Sequence, residues 1–333
     1  MTNFEAVKTA ITHKSSAHVP YAINLAADGA DAYAERLISE YASEKIKNDY
    51  KEGRLNRSEA YSLAIGNHML NIGCPWWSWH SYDEPYNTPD APSTLPRTIG
   101  YGSYEGFFEK CRYIKENYDV YLLVTIWGSH FEKAYFARGI ENFLADLAGE
   151  PEFAEKLLKM IIRKNIVMLE NFLFCENIDG VLLGSDWGSQ KDMLMSPAVW
   201  RSLIKDGELE EYNLIHSYSK DVFVHSCGNI CRILPDLCEM GVNALNPVQP
   251  ECMDIFELKR LYGDKLTFWG GISTQRTLPL GTPDEVYAET ADTIAKMSVG
   301  GGFITSPSQE IQADVPYENL RALIECAKEH AGS

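Results

Sequence analysis

The segment Val222-Phe-Val-His225-Ser-Cys227-Gly-Asn229 closes an apolar run with an imidazole and a thiol two residues apart. On a β-strand, residues i and i+2 point to the same face. His225 and Cys227 therefore reach one spot from the end of a buried strand. Zn2+ favours such a nitrogen and sulfur ligand pair. Two ligands do not complete a site, and a core histidine beside a structural thiol is the ordinary alternative. The remaining ligands must come from elsewhere in the chain.

Other apolar runs also end in polar and aromatic groups. The Tyr121 run leads to Trp127, Gly128, Ser129 and His130, and the Gly180 run to Ser185, Asp186, Trp187 and Gln190. Asn246 and Gln249 lie on and after the Ala244 run, Trp269 ends the Leu266 run, and Gln309 and Glu310 follow the Gly302 run. Asp186, in a pocket walled by Trp187, could act as a base or pair with a cationic substrate group. A turn or N-cap carboxylate is the plainer reading. Asp186, Gln190 and His130 are the candidate catalytic groups, although His130 and His80 taken singly are more often structural. Trp127, Trp187, Asn246, Gln249, Trp269 and Trp77 are the candidate substrate-binding residues. Tryptophans 76, 77, 79, 127, 187 and 269 all fall at strand ends or in one irregular stretch. That clustering suggests a flat aromatic or cationic substrate held by stacking or cation–π contact.

The elements that must position these groups show a regular rhythm of short apolar runs, turns and longer amphipathic segments. The runs are Tyr21–Leu25, Tyr121–Trp127, Gly180–Gly184, Val222–His225, Ala244–Val248, Leu266–Trp269 and Gly302–Thr305. Near-continuous hydrophobicity predicts parallel strands covered on both faces. Pro151–Asn177 reads as a long helix with proline near its start. Thr282 and Glu285 form a capping box at the start of another helix, and the last helix begins at Val315-Pro316-Tyr317. Alternating β and α segments mean an α/β protein. Seven strands without a GxGxxG turn favour a (β/α)8 TIM barrel over a Rossmann sheet. An N-terminal helical segment precedes the barrel, and Asn67–Tyr101, dense in Trp, Tyr and Pro, reads as an irregular excursion over its mouth.

Length and charge bound the function classes. The chain has 333 residues, enough for one barrel of roughly 250 residues with additions, so residues 1–333 are expected to form a single domain. The net charge of −17 argues against a nucleic-acid partner, which requires clustered Lys and Arg. No apolar stretch approaches the roughly 18–20 residues that span a bilayer. The N-terminus lacks a secretory pattern, so a cytoplasmic protein is expected. Eight scattered cysteines then read as reduced thiols, buried or metal-binding.

His225-Ser-Cys227-Gly-Asn-Ile, Leu245-Asn-Pro-Val-Gln-Pro250, Phe268-Trp-Gly-Gly-Ile272 and Gly300-Gly-Gly-Phe303, with Pro307, Asp314-Val-Pro316 and Glu318-Asn319, follow one another in that order. Together they resemble the uroporphyrinogen decarboxylase superfamily, most strongly from about residue 180 to residue 330. The resemblance implies a (β/α)8 barrel and two functional branches: haem-pathway decarboxylases and cobamide-dependent methyltransferases. The decarboxylase segment of the type Arg-Gln-Ala-Gly-Arg is absent, and His18–Asn24 offers no arginine for a polycarboxylate. The methyltransferase branch holds zinc with a His-x-Cys and a later Cys. His225 and Cys227 match the first two, while Gln309 stands where the third Cys would be. Gln309 or Glu310 could supply an oxygen ligand, another residue such as Cys231 or Cys252 could complete the site, or the metal has been lost.

The resemblance therefore implies a methyltransferase acting on a small O- or N-methylated substrate, with Zn2+ bound. A corrinoid would arrive on a separate protein, since no Asp-x-His-x-x-Gly motif is present, and docking could use the Trp-rich stretch 74–87. A homodimer is compatible with this reading. The alternatives are a metal-free decarboxylase-like lyase and a non-catalytic barrel that senses a small molecule.

Overall fold

The structure, a computed structural model, describes residues 1–79 and 98–332. His80 and the rest of the Trp-rich stretch 74–87 from residue 80 onward lie outside the described residues. Among the described residues there are nine strands: β1 (Met69–Gly73), β2 (Trp76–Trp79), β3 (Thr98–Tyr101), β4 (Tyr121–Ile126), β5 (Gly180–Gly184), β6 (Asp221–His225), β7 (Ala244–Val248), β8 (Thr267–Ile272) and β9 (Phe303–Pro307). Helices separate the strands from β4 onward, giving the α/β class of TIM-barrel type that the sequence predicts.

Two compact units divide the chain. One comprises Met1–Asn71, Tyr118–Tyr121 and Asn243–Ser333; the other comprises Ile72–Asn117 and Leu122–Val242. In the second unit β4, β5 and β6 pair in parallel. Their apolar residues are buried on both faces: Leu122, Leu123, Val124, Leu182, Leu183, Phe223 and Val224 are at most 1% exposed. Burying a side chain such as Leu183 or Phe223 contributes about 1.5–3 kcal/mol. Gly184 pairs with His225, so β5 and β6 end level. That register decides which loop residues meet beyond them.

In the first unit β7, β8 and β9 are likewise parallel. Tyr21–Leu25, expected as a strand, makes only isolated bridges, Tyr21 to Thr305 and Leu25 to Ile311. Asn67 anchors this segment instead: its Oδ1 accepts from Ile23 N–H at 2.9 Å and its Nδ2 donates to Ile23 O at 2.9 Å.

The stretch from Asn67 to Tyr101 corrects the expectation of an irregular excursion at both of its ends. Met69–Gly73 is strand β1, and β2 pairs antiparallel with β3. β1 is short and carries a polar Asn71, so its pattern hides beside the aromatic residues that follow. The long helix begins at Pro151 as expected but stops at Glu170 rather than Asn177, because the fully buried Phe172 and Leu173 turn the chain into the core. At Thr282 the capping box is present, with Thr282 N–H donating to Glu285 at 2.7 Å and Glu285 N–H to Thr282 Oγ1 at 3.3 Å.

Candidate active site

Gly184 and His225 pair at the ends of β5 and β6, so Asp186 and Cys227, each two residues past its strand end, run side by side. Ser185 N–H donates to His225 O at 2.8 Å, and Trp187 N–H to Ser226 Oγ at 3.1 Å. Asp186 Oδ1 accepts the Cys227 amide at 2.9 Å. The two loops beyond are clasped together by Asn229 N–H donating to Ser189 O at 2.7 Å. Gly188 and Gly228 permit this approach. A Cβ on Gly188 would lie 2.6 Å from Cys227 O, and Gly228, at φ +79°, would meet Gly188 and Ser189 at 2.6 Å.

The result is a three-atom convergence. His225 Nε2 lies 3.4 Å from Cys227 Sγ and 3.6 Å from Asp186 Oδ1, and all three ligand atoms fall within 4.8 Å of one another. A tetrahedral zinc with bonds of about 2.0–2.1 Å to nitrogen or oxygen and about 2.3 Å to sulfur has ligand edges of about 3.3–3.6 Å. The two separations from His225 Nε2 fit such an ion, as does the chemistry of a thiolate, a carboxylate and an imidazole. Asp186 keeps 39% of its side chain exposed against 9% for His225, so the cluster opens to solvent on the Asp186 side.

Trp127 borders the cluster. It is 54% exposed, and its ring stands edge-on to His225 at 4.9 Å. A Cβ on Gly184 would sit 2.9 Å from that ring, so the indole needs a glycine beneath it. Glu132 lies beside the same glycine and was not among the expected residues. It accepts from Gly128 N–H at 2.9 Å and from Tyr135 Oη at 3.0 Å. Burial first, and the Asp186 charge second, push its carboxyl pKa upward. In sequence Glu132 reads as an acid in the first turn of a helix, where it would merely complement the dipole.

Three expected residues take other places. Trp187 is fully buried and packs edge-on against Trp200 at 5.4 Å, making it a core side chain rather than a pocket wall. Trp77 is buried, donates to Asn165 Oδ1 at 3.1 Å, and has the Lys133 and Lys164 ammonium groups over its ring at 5.2 and 4.9 Å. His130 has no exposed surface and faces Glu208 and Glu211 in the interior. Sequence reading missed both glutamates, because two acids in Lys205-Asp-Gly-Glu-Leu-Glu-Glu look like a solvated helix face. Gln190 is exposed on the loop after β5. In the first unit Asn246 is half-buried, Gln249 and Trp269 are buried, and the Gln309 side chain accepts the Glu310 amide at 3.0 Å, with Glu310 exposed. Cys231, considered as a substitute ligand, begins a short 3-10 helix.

Comparison with known proteins gives a consistent picture. A family model described as uroporphyrinogen decarboxylase (URO-D) matches residues 83–330. Methylcobamide:CoM methyltransferase MtaA of Methanosarcina barkeri is 30% identical over 138 residues, 41% of this chain and 38% of that protein. Methylated-thiol--coenzyme M methyltransferase of Methanosarcina mazei is 24% identical over 153 residues, 44% of this chain and 40% of that protein. The matched stretch thus spans about two fifths of the length of these relatives. Among solved structures, a methyltransferase from Methanosarcina mazei aligns over 99% of both chains with a TM-score of 0.65 at 16% identity, which shows a shared fold.

Proposed function

The chain belongs to the uroporphyrinogen decarboxylase (URO-D) family, and we propose that within it this protein is a metal-dependent methyltransferase. It moves a methyl group from a small O- or N-methylated compound to the cobalt(I) of a corrinoid carried by a separate protein. The observation that carries this reading is the convergence of Asp186 Oδ1, His225 Nε2 and Cys227 Sγ. The similarity to methylcobamide:CoM methyltransferase MtaA supports the reaction type.

Asp186, His225 and Cys227 would hold zinc, which supplies Lewis acidity at the heteroatom losing its methyl group. One thiolate beside a carboxylate makes a harder donor set than two thiolates, and it suits an oxygen or nitrogen substituent. Trp127 presents an exposed indole beside His225 and would hold an aromatic or cationic substrate by its ring face. The methyl group leaves without its bonding electrons, which stay on the heteroatom. A corrinoid cobalt(I) would supply the electron pair of the new bond. Glu132, whose carboxyl pKa burial and the Asp186 charge push upward, would be the group that returns a proton to the heteroatom.

The test is a screen of methylated phenols and amines with a cobalt(I) corrinoid protein, followed by the cobalamin spectrum. Loss of the cobalt(I) absorption with the wild-type protein, and its persistence with His225→Ala, is the expected result. Decarboxylation of uroporphyrinogen III at a rate untouched by His225→Ala would overturn the proposal in favour of a metal-free lyase.

A further inference from the structure

The helix Lys205–Ser217 carries Glu208 and Glu211 one turn apart, and both carboxylates point into the interior toward His130. None of the three side chains has exposed surface. His130 Nδ1 lies 3.2 Å from Glu208 Oε1 and 3.5 Å from Glu211 Oε2. Around them is a complete outer layer of donors. Tyr212 Oη donates to Glu208 Oε2 at 2.8 Å and Ser185 Oγ to Glu208 Oε1 at 3.1 Å. Asn165 Nδ2 donates to Glu211 Oε1 at 2.7 Å, and is itself oriented by Trp77 Nε1. Neither ring nitrogen of His130 nor Glu211 Oε2 makes a well-aligned hydrogen bond, although the Ile204 carbonyl and the carboxylates lie close to the ring.

Orphaned buried polar atoms cost free energy, and buried charge costs more unless it is balanced. Lys133, the buried cation nearby, places its ammonium against the Gly128 carbonyl and over Trp77, where it also feels the Glu211 charge. A divalent cation with a neutral imidazole would cancel the two carboxylates. The separations of 3.2 and 3.5 Å also match the edge of a tetrahedral site with bonds near 2.0–2.1 Å, about 3.3 Å.

We propose that His130, Glu208 and Glu211 form a second, buried metal site that gives three protein donors to a divalent first-row transition cation in a structural role. One nitrogen and two carboxylate donors without sulfur suit zinc, iron(II) or manganese(II). The metal ties the helix His130–Arg138 to the helix Lys205–Ser217. Through Ser185 it braces the residue just before Asp186.

The test uses the His225→Ala/Cys227→Ala variant, which removes two ligands of the solvent-open cluster and leaves the buried triad intact. Purified without chelators, the folded variant should retain about one equivalent of divalent metal, falling below about a tenth when Glu211→Gln is added. Refolded with Co2+, it should show d–d bands and no thiolate-to-cobalt charge transfer, with X-ray absorption reporting a nitrogen and oxygen shell containing one imidazole. A folded His225→Ala/Cys227→Ala protein that neither retains metal nor takes up Co2+ on refolding overturns the proposal. So does a bound ion whose shell contains sulfur or lacks imidazole, a readout that holds even if Glu211→Gln does not fold. Failure of the methyl-transfer reading would leave these outcomes unchanged.

Discussion

Asp186 touches both members of the His225/Cys227 pair, through the Cys227 amide and through His225 Nε2. If it is the third ligand, Asp186→Asn replaces an anionic oxygen by a neutral amide without changing shape. Zinc affinity should then fall by roughly 10–100-fold, and Cys227→Ser should cost more, because a hydroxyl does not ionise near neutral pH as a metal-bound thiol does. Competition titration against a chromophoric chelator measures both. An Asp186→Asn protein with unchanged zinc affinity would assign Asp186 to the substrate instead. The pair itself was legible in the sequence, since an i, i+2 spacing at a strand end puts both side chains near one spot, although Cys227 lies just past the last residue of β6 and is set in place by its amide bond to Asp186. Asp186 was legible only as a pocket carboxylate. Its approach to Cys227 depends on β5 and β6 ending level, which no single strand encodes. Trp187 misled for a related reason: a large ring just past a strand end serves equally well to seal the core, and here it meets Trp200.

The loops after β5 and β6 are held together at two glycines whose missing side chains are what the arrangement requires. Gly188→Ala would drive a methyl group to 2.6 Å from Cys227 O and 2.9 Å from Asn229 N. Backbone has to move, since neither contact is with a flexible side-chain tip. The expected result is a destabilisation of about 1–3 kcal/mol, the usual range for overpacking, with weakened zinc binding because Cys227 is displaced. Denaturant titration and metal competition on the same variant check it, and a Gly188→Ala protein with wild-type values of both would show the loops to be loosely coupled. At this scale the apolar strands β4 to β9 were legible because both faces of each are covered. β1 was not, being short and interrupted by Asn71. The acids of Lys205–Ser217 were not either, since a charged helical segment gives no sign that one of its turns is buried until the helix is docked.

Across the whole molecule, 47 acidic against 30 basic residues set the net charge of −17, and among the described residues no helix is long and apolar enough to cross a membrane. Ionisable groups held inside also set the response of stability to acid. His68 is one that the chemistry of the candidate site does not involve. It sits 4% exposed with its ring edge-on to Tyr21 at 4.8 Å, its amide donating to Tyr21 O and its carbonyl accepting from Tyr121 N–H. Burial pushes its pKa down to about 4, with Asp119 opposing and His18 adding to the shift. Because the folded value lies below the ordinary 6.5, the unfolded chain takes up the proton first as pH falls. The contribution is complete above about pH 6.5 and is lost progressively down to about pH 4, a penalty of order 3 kcal/mol in full. His68→Phe keeps an aromatic ring in the same space and removes the titration. Thermal midpoints measured from neutral pH down through that window should fall less steeply for His68→Phe than for the wild type. Parallel curves would mean that His68 takes up its proton equally readily in the folded and unfolded chain, and that the interior around Tyr21 admits the charge.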